Sequence, residues 1–403
     1  MSRDSLHRDQ SGRISIFFVL SSVAFVFLIA LIYNTACQCI RKIQMQGAAD
    51  AAAVAGGAEA GSNLNDIAND NNTMSEILTV MIVFRSMVQT VEIMKDEMKV
   101  LSYVPYVDAV AGPLATAFQT VDKVLKPIDK SLSDRSHGVG WIAMKALDDL
   151  NVGIKADFAF WAEKDAGDFA QRNGADRGLH GVLIPRESPA LNLLPCLPLA
   201  RGGELELLDR AEDAFLKYVQ PFPGPVAAIL VIAMPFNPIT IFMATVEYNT
   251  SNLRGNRVTE TISKVLKYVA TEPLDWPDKP PRPMLLTDQP SFSPSATMDV
   301  KESSADLSKV RKQLQYLAIA TGKMSRGSRI GGEKFLNVAP YQSLAYAEAD
   351  VYNPTRWSMF EQNWRVKLAP SVTLNEKFNQ IVGILGVKDI PQWLNGPEFA
   401  NNH

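Results

Sequence analysis

The sequence has few cysteines, a nearly balanced charge and no excess of basic residues. Its three cysteines among 403 residues, Cys37, Cys39 and Cys196, exclude a disulfide framework. Cys37 and Cys39 are two positions apart, so on a helix they do not face each other, and a disulfide between chains or with Cys196 requires an oxidising compartment. The net charge of −3 gives no electrostatic basis for binding nucleic acid. We therefore expect no nucleic-acid partner.

The sequence also lacks a recognisable catalytic or metal-binding motif. Its four histidines are scattered and show no metal-ligand spacing: His7, His137, His180 and His403. No nucleophile elbow, Walker A or dinucleotide-binding glycine motif occurs. The acidic pairs Asp148-Asp149 and Asp165/Asp168 are typical of a solvated helix face. We therefore expect no cofactor, no metal and no enzymatic activity.

One long apolar run stands near the N-terminus. Residues 14–32, ISIFFVLSSVAFVFLIALI, contain no charge, proline or glycine. A helix of this length spans about 28 Å, close to the roughly 30 Å hydrocarbon core of a bilayer. The run is longer than the apolar part of a typical cleaved signal peptide. The sequence therefore predicts a transmembrane helix.

The flanking charges predict how this helix crosses the membrane. Three arginines precede it, and two basic residues follow it: Arg3, Arg8 and Arg13, then Arg41 and Lys42. The small excess on the N-terminal side favours a cytoplasmic N-terminus, with the bulk of the chain outside the cytoplasm. Lipoprotein processing before Cys37 is an alternative, although Asn34 stands where such sites carry an aliphatic residue.

A stretch of very small residues follows the apolar run. Residues 42–61 read KIQMQGAADAAAVAGGAEAG, and positions four apart on a helix share a face. Small residues therefore form two adjacent rows: Ala48, Ala52, Gly56 and Ala60, then Ala49, Ala53 and Gly57. Such rows allow close approach between helices. The stretch predicts an Ala-rich stalk or a helix-packing surface continuous with the membrane helix.

The N-terminal sixty residues resemble the N-terminal module of TadE/TadG-like proteins of the bacterial Tad (tight adherence, Flp pilus) system. The resemblance rests on Gly12, the apolar helix and the signature Gln46-Gly47-Ala48-Ala49-Asp50-Ala51-Ala52-Ala53-Val54-Ala55. It implies a bacterial inner-membrane protein that contacts other Tad-like assembly subunits or itself. The implied contact residues are Gln46, Gly47, Ala48, Ala49, Asp50, Ala52, Ala53, Gly56, Gly57 and Ala60. A weaker similarity to long TadG-like proteins covers residues 343–371.

Two departures from the family patterns matter: the first favours the TadG-like branch, and the second argues against the von Willebrand A domain in which longer TadG proteins often end. Pilin-like members carry a Glu five residues after the glycine at which they are processed, but Phe17 follows Gly12 at that distance, which argues against processing at Gly12. The D-x-S-x-S metal motif of a von Willebrand A domain is also missing, since Gly138 replaces the last serine after Asp134 and Ser136.

The middle of the chain predicts helices. Residues 62–73, SNLNDIANDNNT, are rich in Asn and Asp and predict a loop before the next helix. A packing seam with three- and four-residue spacing follows, for which packing within the chain is favoured over pairing with another chain: Ile77, Met81, Phe84, Val88, Val91 and Met98. Further amphipathic helices are predicted at residues 205–219, 258–269 and 307–317.

The second half of the chain carries an uncharged run, a proline-rich segment and strand signals. Residues 219–246 are apolar but split by Pro235 and Pro238, so a buried core segment is favoured over membrane contact. Residues 271–298 are rich in proline and predict a linker. Residues 344–350, where larger side chains alternate with alanines, and residues 364–368, where apolar and basic residues alternate, predict a small sheet. Residues 378–385 predict a terminal helix.

Together these patterns predict a mainly α protein in which a transmembrane helix continues into an Ala-rich stalk, followed by a helical middle region and a small α+β C-terminal part. The predicted divisions are residues 1–61 for anchor and stalk, 74–270 for a helical domain, 271–298 for the linker and 299–403 for the C-terminal region. The resemblance implies a non-enzymatic envelope protein of Tad-like pilus assembly or secretion. An anchored extracytoplasmic enzyme or ligand-binding domain, and a pilin-like fibre subunit, are the alternatives.

Overall fold

The computed structural model describes residues 10–185, 197–219, 238–255, 271–286, 314–323 and 342–369. Of the residues described, 71% are helical, which confirms the mainly α prediction. The helices are α1 (Gln10–Leu101), α2 (Asp108–Ser133), α3 (Val139–Arg172), α4 (Glu204–Val219) and α5 (Pro238–Leu253). The strands are β1 (Arg177–Pro185), β2 (Leu199–Arg201), β3 (Met284–Leu286), β4 (Leu314–Lys323), β5 (Gln342–Tyr352) and β6 (Arg365–Ala369).

Helix α1 dominates the architecture, since it continues for 92 residues without a proline. At the rise of an α-helix this corresponds to about 138 Å. The predicted loop at residues 62–73 is wrong, because α1 runs through the whole Asn-rich stretch. The Ala-rich segment before it lies within the folded part of the chain, so a free stalk is not what the structure shows.

Helices α2 and α3 return along α1 in the antiparallel direction. Three contacts fix this course: Lys95 of α1 with Asp122 of α2, Asn71 with Asn151 of α3, and Arg41 with the turn after α3. The α2–α3 turn lies beside the middle of α1, where Gly140 approaches the Met81 side chain. The two shorter helices thus cover α1 from its C-terminal end down to Arg41.

A four-stranded antiparallel sheet, in the order β1-β4-β5-β6, packs on the first half of the folded part of α1. Strands β5 and β6 confirm the small sheet predicted for residues 344–350 and 364–368, although residues 347–351 of β5 are buried in succession and do not alternate. The helix predicted for residues 307–317 is wrong for residues 314–317, which lie in β4, and residues 307–313 fall outside the described residues. Leu314 and residues 316–322 are all buried, so β4 shows no alternation and its leucine spacing imitates a helix.

A second, two-stranded sheet pairs β2 with β3, with Leu199 opposite Leu286. Residues 271–286 of the predicted linker pack into the protein here, as the burial of Leu274 and Met284 shows. The rest of that linker, residues 287–298, falls outside the described residues. The helices predicted at residues 258–269 and 378–385 also fall outside the described residues.

The described core has one cluster around the sheet and another around α4 and α5. The predicted seam on α1 packs within the chain, since Met81 and Val88 are fully buried and Met81 belongs to the second cluster. The amphipathic helix predicted at residues 205–219 is confirmed as α4, with Leu208 and Phe215 buried. The end of the uncharged run, residues 238–246, forms the first part of α5, where Ile241 and Val246 are buried as predicted, and residues 220–237 of the run fall outside the described residues.

Candidate interaction surfaces

The apolar start of α1 is exposed. It is the single helix in the described part of the chain that is long and apolar enough to cross a membrane, and only 6% of that apolar stretch is buried. Large side chains such as Phe17 and Phe25 are open to the surroundings. The helix of a soluble core would bury these side chains, so the pattern is that of a membrane anchor or a signal sequence.

The folded part of the protein begins where the apolar stretch ends. Arg41 donates a hydrogen bond from Nη1 to the carbonyl oxygen of Gly174, at 3.0 Å, in the turn after α3. Its Nη2 lies 3.5 Å from a carboxylate oxygen of Asp176, just before β1. No separate linker stands between the apolar stretch and the fold, because both belong to the one helix α1.

Most small residues of the predicted contact set lie inside the protein. Ala48, Ala49, Ala52, Ala53 and Ala60 are almost completely buried, and they belong to the core cluster formed around the sheet. A Cβ atom on Gly56 would lie 2.1 Å from the ring of Tyr316, and one on Gly57 would lie 2.7 Å from Val366. The rows of Ala and Gly therefore allow the sheet to approach the α1 backbone.

The polar members of the signature contact the same sheet. Gln46 donates from Nε2 to Asp50 Oδ1, at 2.9 Å, and to the Tyr346 carbonyl oxygen in β5, at 3.0 Å. Gly47 differs from the rest, since it is exposed and a Cβ there would meet nothing within 4 Å. In this structure the signature thus describes how α1 packs on the chain's own sheet.

The Asn-rich stretch contacts the loop at residues 359–364. Asn71 donates from Nδ2 to the carbonyl oxygens of Met284 and Met359, at 2.9 and 3.0 Å. Asn65 binds both backbone groups of Trp364, accepting from its N–H at 2.9 Å and donating to its carbonyl oxygen at 3.2 Å. Asn72 donates to the Phe360 carbonyl oxygen at 2.9 Å. These asparagines satisfy the backbone of a distant loop instead of forming one.

Charged pairs join the distal half of α1 to α2. Arg85 lies 2.8 Å from Asp129, Lys95 lies 3.0 Å from Asp122, and Lys126 pairs with Glu92. Burial raises the pKa of the Asp129 carboxyl, while the Arg85 guanidinium and the Ser133 hydroxyl act in the opposite direction. Helix α2 thus turns a charged face toward α1.

The apolar residues of α2 face outward. Six exposed positions, here called the α2 seam, follow one another at alternating steps of four and three: Val110, Leu114, Ala117, Val121, Val124 and Ile128. Val121 and Ile128 each precede a buried aspartate, Asp122 and Asp129, and neighbouring residues lie about 100° apart around a helix. The seam therefore lies beside the face that contacts α1. This surface was not predicted from the sequence, although residues 109–128, AVAGPLATAFQTVDKVLKPI, contain the same three- and four-residue spacing of apolar side chains.

A second exposed apolar surface lies at the end of the α1–α2 hairpin. The connecting residues include Tyr103, 76% exposed, and Tyr106, fully exposed. Tyr106 has a φ of 75°, in the left-handed region that a bulky residue rarely adopts. The loop therefore holds the Tyr106 side chain away from the fold, although this backbone conformation is energetically unfavourable for a tyrosine.

Of the two acidic pairs, Asp148 and Asp149 form ion pairs with Lys145 and Arg201, whereas Asp165 is half-buried and Asp168 is exposed. Asp148 is buried and accepts a hydrogen bond from Arg201 Nε at 2.9 Å, so its prediction as a solvated residue is wrong, while Asp149 is exposed. Among the described residues there is no group of three or more His, Cys, Asp or Glu side chains that could hold a metal ion. Cys37 and Cys39 are free thiols, and Cys196 is outside the described residues.

Comparison with protein-family profiles, with curated proteins and with solved structures finds no match for this chain.

Proposed function

We propose that the chain is a non-enzymatic, membrane-anchored protein of the bacterial envelope, similar to the TadG-like components of Tad/Flp pilus assembly or secretion. The observation that carries the proposal is the continuity of α1, which passes from an exposed apolar span directly into a folded core. Removal of a signal sequence would cut α1 just before its first core residues, whereas a retained anchor leaves this helix unbroken.

The same helix gives the protein a mechanical role. From Arg41 to the C-terminal end of α1 at Leu101 the helix rises by about 90 Å. Packing by α2 and α3 along this length stiffens it, because bending would separate buried side chains from their contacts. The protein then acts as a strut that presents the α2 seam and the Tyr103/Tyr106 loop far from the membrane surface.

The orientation in the proposal comes from the flanking charges and the resemblance. The N-terminus lies in the cytoplasm, and the sheet and helices lie in the periplasm of a bacterium. The residues that contact partner subunits are then drawn from the exposed surfaces of the strut. Of the signature residues, Gly47 is the exposed one, while the buried alanines and glycines act indirectly by holding α1 on the sheet.

Membrane fractionation tests the anchor and its orientation. The full chain should remain in the membrane pellet after alkaline extraction, which releases peripheral proteins. An N-terminal tag should be protected from protease added outside the inner membrane, and a tag placed in the exposed α2–α3 turn should be cleaved. Recovery of the full-length chain in the soluble fraction would refute the proposal.

Partner capture tests the assembly role. Deletion of residues 46–60 is unsuitable, because it would remove core residues along with any contact surface. The double variant Tyr103→Ser/Tyr106→Ser changes exposed side chains only, and Gln119→Ser is a matched exposed control. Wild type and control should recover subunits of a pilus or secretion assembly after crosslinking in cells, and the double variant should recover fewer. Absence of such subunits from the wild-type sample would count against the proposal.

A further inference from the structure

Helix α2 buries several polar side chains and exposes most of its large apolar ones, whereas a typical surface helix does the opposite. Its buried positions include Asp122, Asp129 and Ser133, whereas the apolar α2 seam is exposed. None of the described residues covers the seam, whose valines at 110 and 124 are 64% and 59% exposed. An exposed apolar stripe of this regularity marks a surface that packs against another helix.

The spacing of the seam assigns its positions in a heptad repeat. The step of three from Leu114 to Ala117 and from Val121 to Val124 makes Leu114, Val121 and Ile128 the a positions, and Val110, Ala117 and Val124 the d positions. β-Branched residues occupy two of the three a positions and two of the three d positions, so the seam has the spacing of a helix-pairing stripe, while these residue types do not by themselves set the number of strands. Ala117 adds a point of close approach between backbones.

The positions that flank the seam are uncharged. On one side they are Ala111, Phe118 and Leu125, and on the other they are Pro113, Thr120 and Pro127. Coiled coils select a different partner chain mainly through charges at these positions. A seam without such charges meets an identical seam without repulsion and carries no charge pattern for a different chain.

We propose that the α2 seam pairs with the α2 seam of a second copy of this chain, in a parallel two-fold dimer. This inference rests on the proposed membrane anchor, because anchors in one membrane orient both copies alike and impose the parallel arrangement. In a parallel pair related by a two-fold axis, each a and d residue meets its own equivalent. Val121 of one copy therefore lies against the same residue of the other.

The length of the seam explains why the anchor matters for this pairing. From Val110 to Ile128 the helix rises by about 27 Å, which is less than three heptads. A contact this short is weak between freely diffusing chains. Two chains confined to one membrane have a much higher effective concentration, so a weak contact suffices to hold them together.

Cysteine crosslinking in membranes tests the symmetry of the pair. In a background with Cys37, Cys39 and Cys196 replaced by Ser, the full chain carries either Val121→Cys or the control Gln119→Cys. Gln119 is exposed on the opposite side of α2. Under mild oxidation or with a short thiol-to-thiol crosslinker, Val121→Cys should give a homodimer about tenfold more efficiently than the control. Equal yields, or a crosslink of Val121→Cys to a different protein only, would overturn the proposal.

A charge placed in the seam provides an independent test. Val124→Glu in the Val121→Cys chain should reduce the dimer yield about tenfold, since two carboxylates would meet at a d position. Lys123→Glu, on the polar side of α2, should leave the yield unchanged. Circular dichroism and membrane fractionation are recorded for each variant. A chain that is folded and in the membrane but shows no seam dependence refutes the dimer alone, whereas a chain absent from the membrane refutes the proposed anchor.

Discussion

The two halves of the folded part of α1 pack by different means. The proximal half, residues 42–72 next to the apolar span, contacts the sheet through Ala and Gly and holds the 359–364 loop through asparagine side chains. The distal half, residues 74–98, contacts α2 through charged pairs and α5 through a buried polar network in which Asn249 donates to Ser86 and Gln89. The first half packs through close backbone approach, and the second adds paired charges and a buried polar network to the apolar contacts of Met81 and its neighbours with α3 and α4.

This difference explains why one helix can serve two purposes. A sheet packed closely on Ala and Gly leaves no room for rearrangement, so the proximal half fixes the fold to the apolar span of α1. Paired charges give α2 a definite register on α1 while its apolar residues stay outside. The distal half can therefore carry an exposed packing surface without losing its own structure.

The largest effect is expected where the sheet approaches α1. Gly56→Leu would place a side chain in the ring of Tyr316, which is fully buried and donates a hydrogen bond from its hydroxyl to the Ala162 carbonyl oxygen at 3.1 Å. We expect loss of folding in the proximal half, seen as rapid proteolysis and a lost thermal transition. The matched control Gly47→Ala, at an open helical position, should stabilise by up to about 1 kcal/mol. A folded Gly56→Leu chain would refute the close packing described here.

The second-largest effect on stability is expected at the ion pair between Arg85 and Asp129 in the distal half of α1. Arg85→Ala would leave the Asp129 carboxylate buried without its guanidinium partner and lower the free energy of unfolding by about 3 kcal/mol. The double variant Arg85→Met/Asp129→Leu removes both charges and should recover most of this loss, as urea unfolding would measure. Equal destabilisation by the single and double variants would show that the pair does not hold α2 on α1.

A smaller loss is expected from the asparagine contacts. Asn71→Ala removes the hydrogen bonds to Met284 and Met359 at a fully buried position, which should lower the free energy of unfolding by about 2 kcal/mol. Asn69 is exposed and accepts one hydrogen bond from Gln362, so Asn69→Ala should change stability by less than about 0.5 kcal/mol. Chemical unfolding of both variants measures the difference, and similar values would contradict a special role for the buried residue.

The smallest effect is expected at the exposed turn between α2 and α3. Hydrogen bonds from the Ser136 hydroxyl and from the backbone N–H groups of Ser136 and His137 lower the pKa of the Asp134 carboxyl to about 2. Because this folded-state pKa lies below the ordinary value, the stabilisation is present above that value and is lost as the pH falls toward 2. Asp134→Ala should therefore lower the melting temperature at neutral pH but much less near pH 2. Asp134→Asn keeps the acceptor oxygen and should show a smaller, pH-independent loss.

Much of the fold could be predicted from local patterns. The exposed apolar span, helix α4 and strands β5 and β6 each carry a spacing that matches their structure. The Asn-rich stretch misled the prediction, because asparagine usually binds nearby backbone groups and ends helices. Here the groups that satisfy Asn65 and Asn71 lie almost 300 residues away at Trp364 and Met359, as the separations of 299 and 288 residues show, and no local pattern reveals them.

The candidate surfaces were harder to predict for a related reason. Rows of small residues indicate close packing but do not say whether the partner is a helix, a sheet or another chain. The sheet that covers Gly56 and Gly57 is built from strands whose sequences lie far along the chain. The α2 seam was visible as a spacing, but only the structure shows that its apolar side is the exposed one.

A distance measured between the two halves of α1 tests most directly whether α1 is one unbroken helix. Spin labels at the exposed positions Ile43 and Met87, in full chain freed of native cysteines and reconstituted in lipid nanodiscs, lie on either side of the Asn-rich stretch. Diluting the labelled chain with unlabelled chain isolates the distance within one copy. An unbroken helix predicts a narrow distribution centred near 66 Å. A broad distribution centred at a much shorter distance would show a break at residues 62–73 and contradict the account.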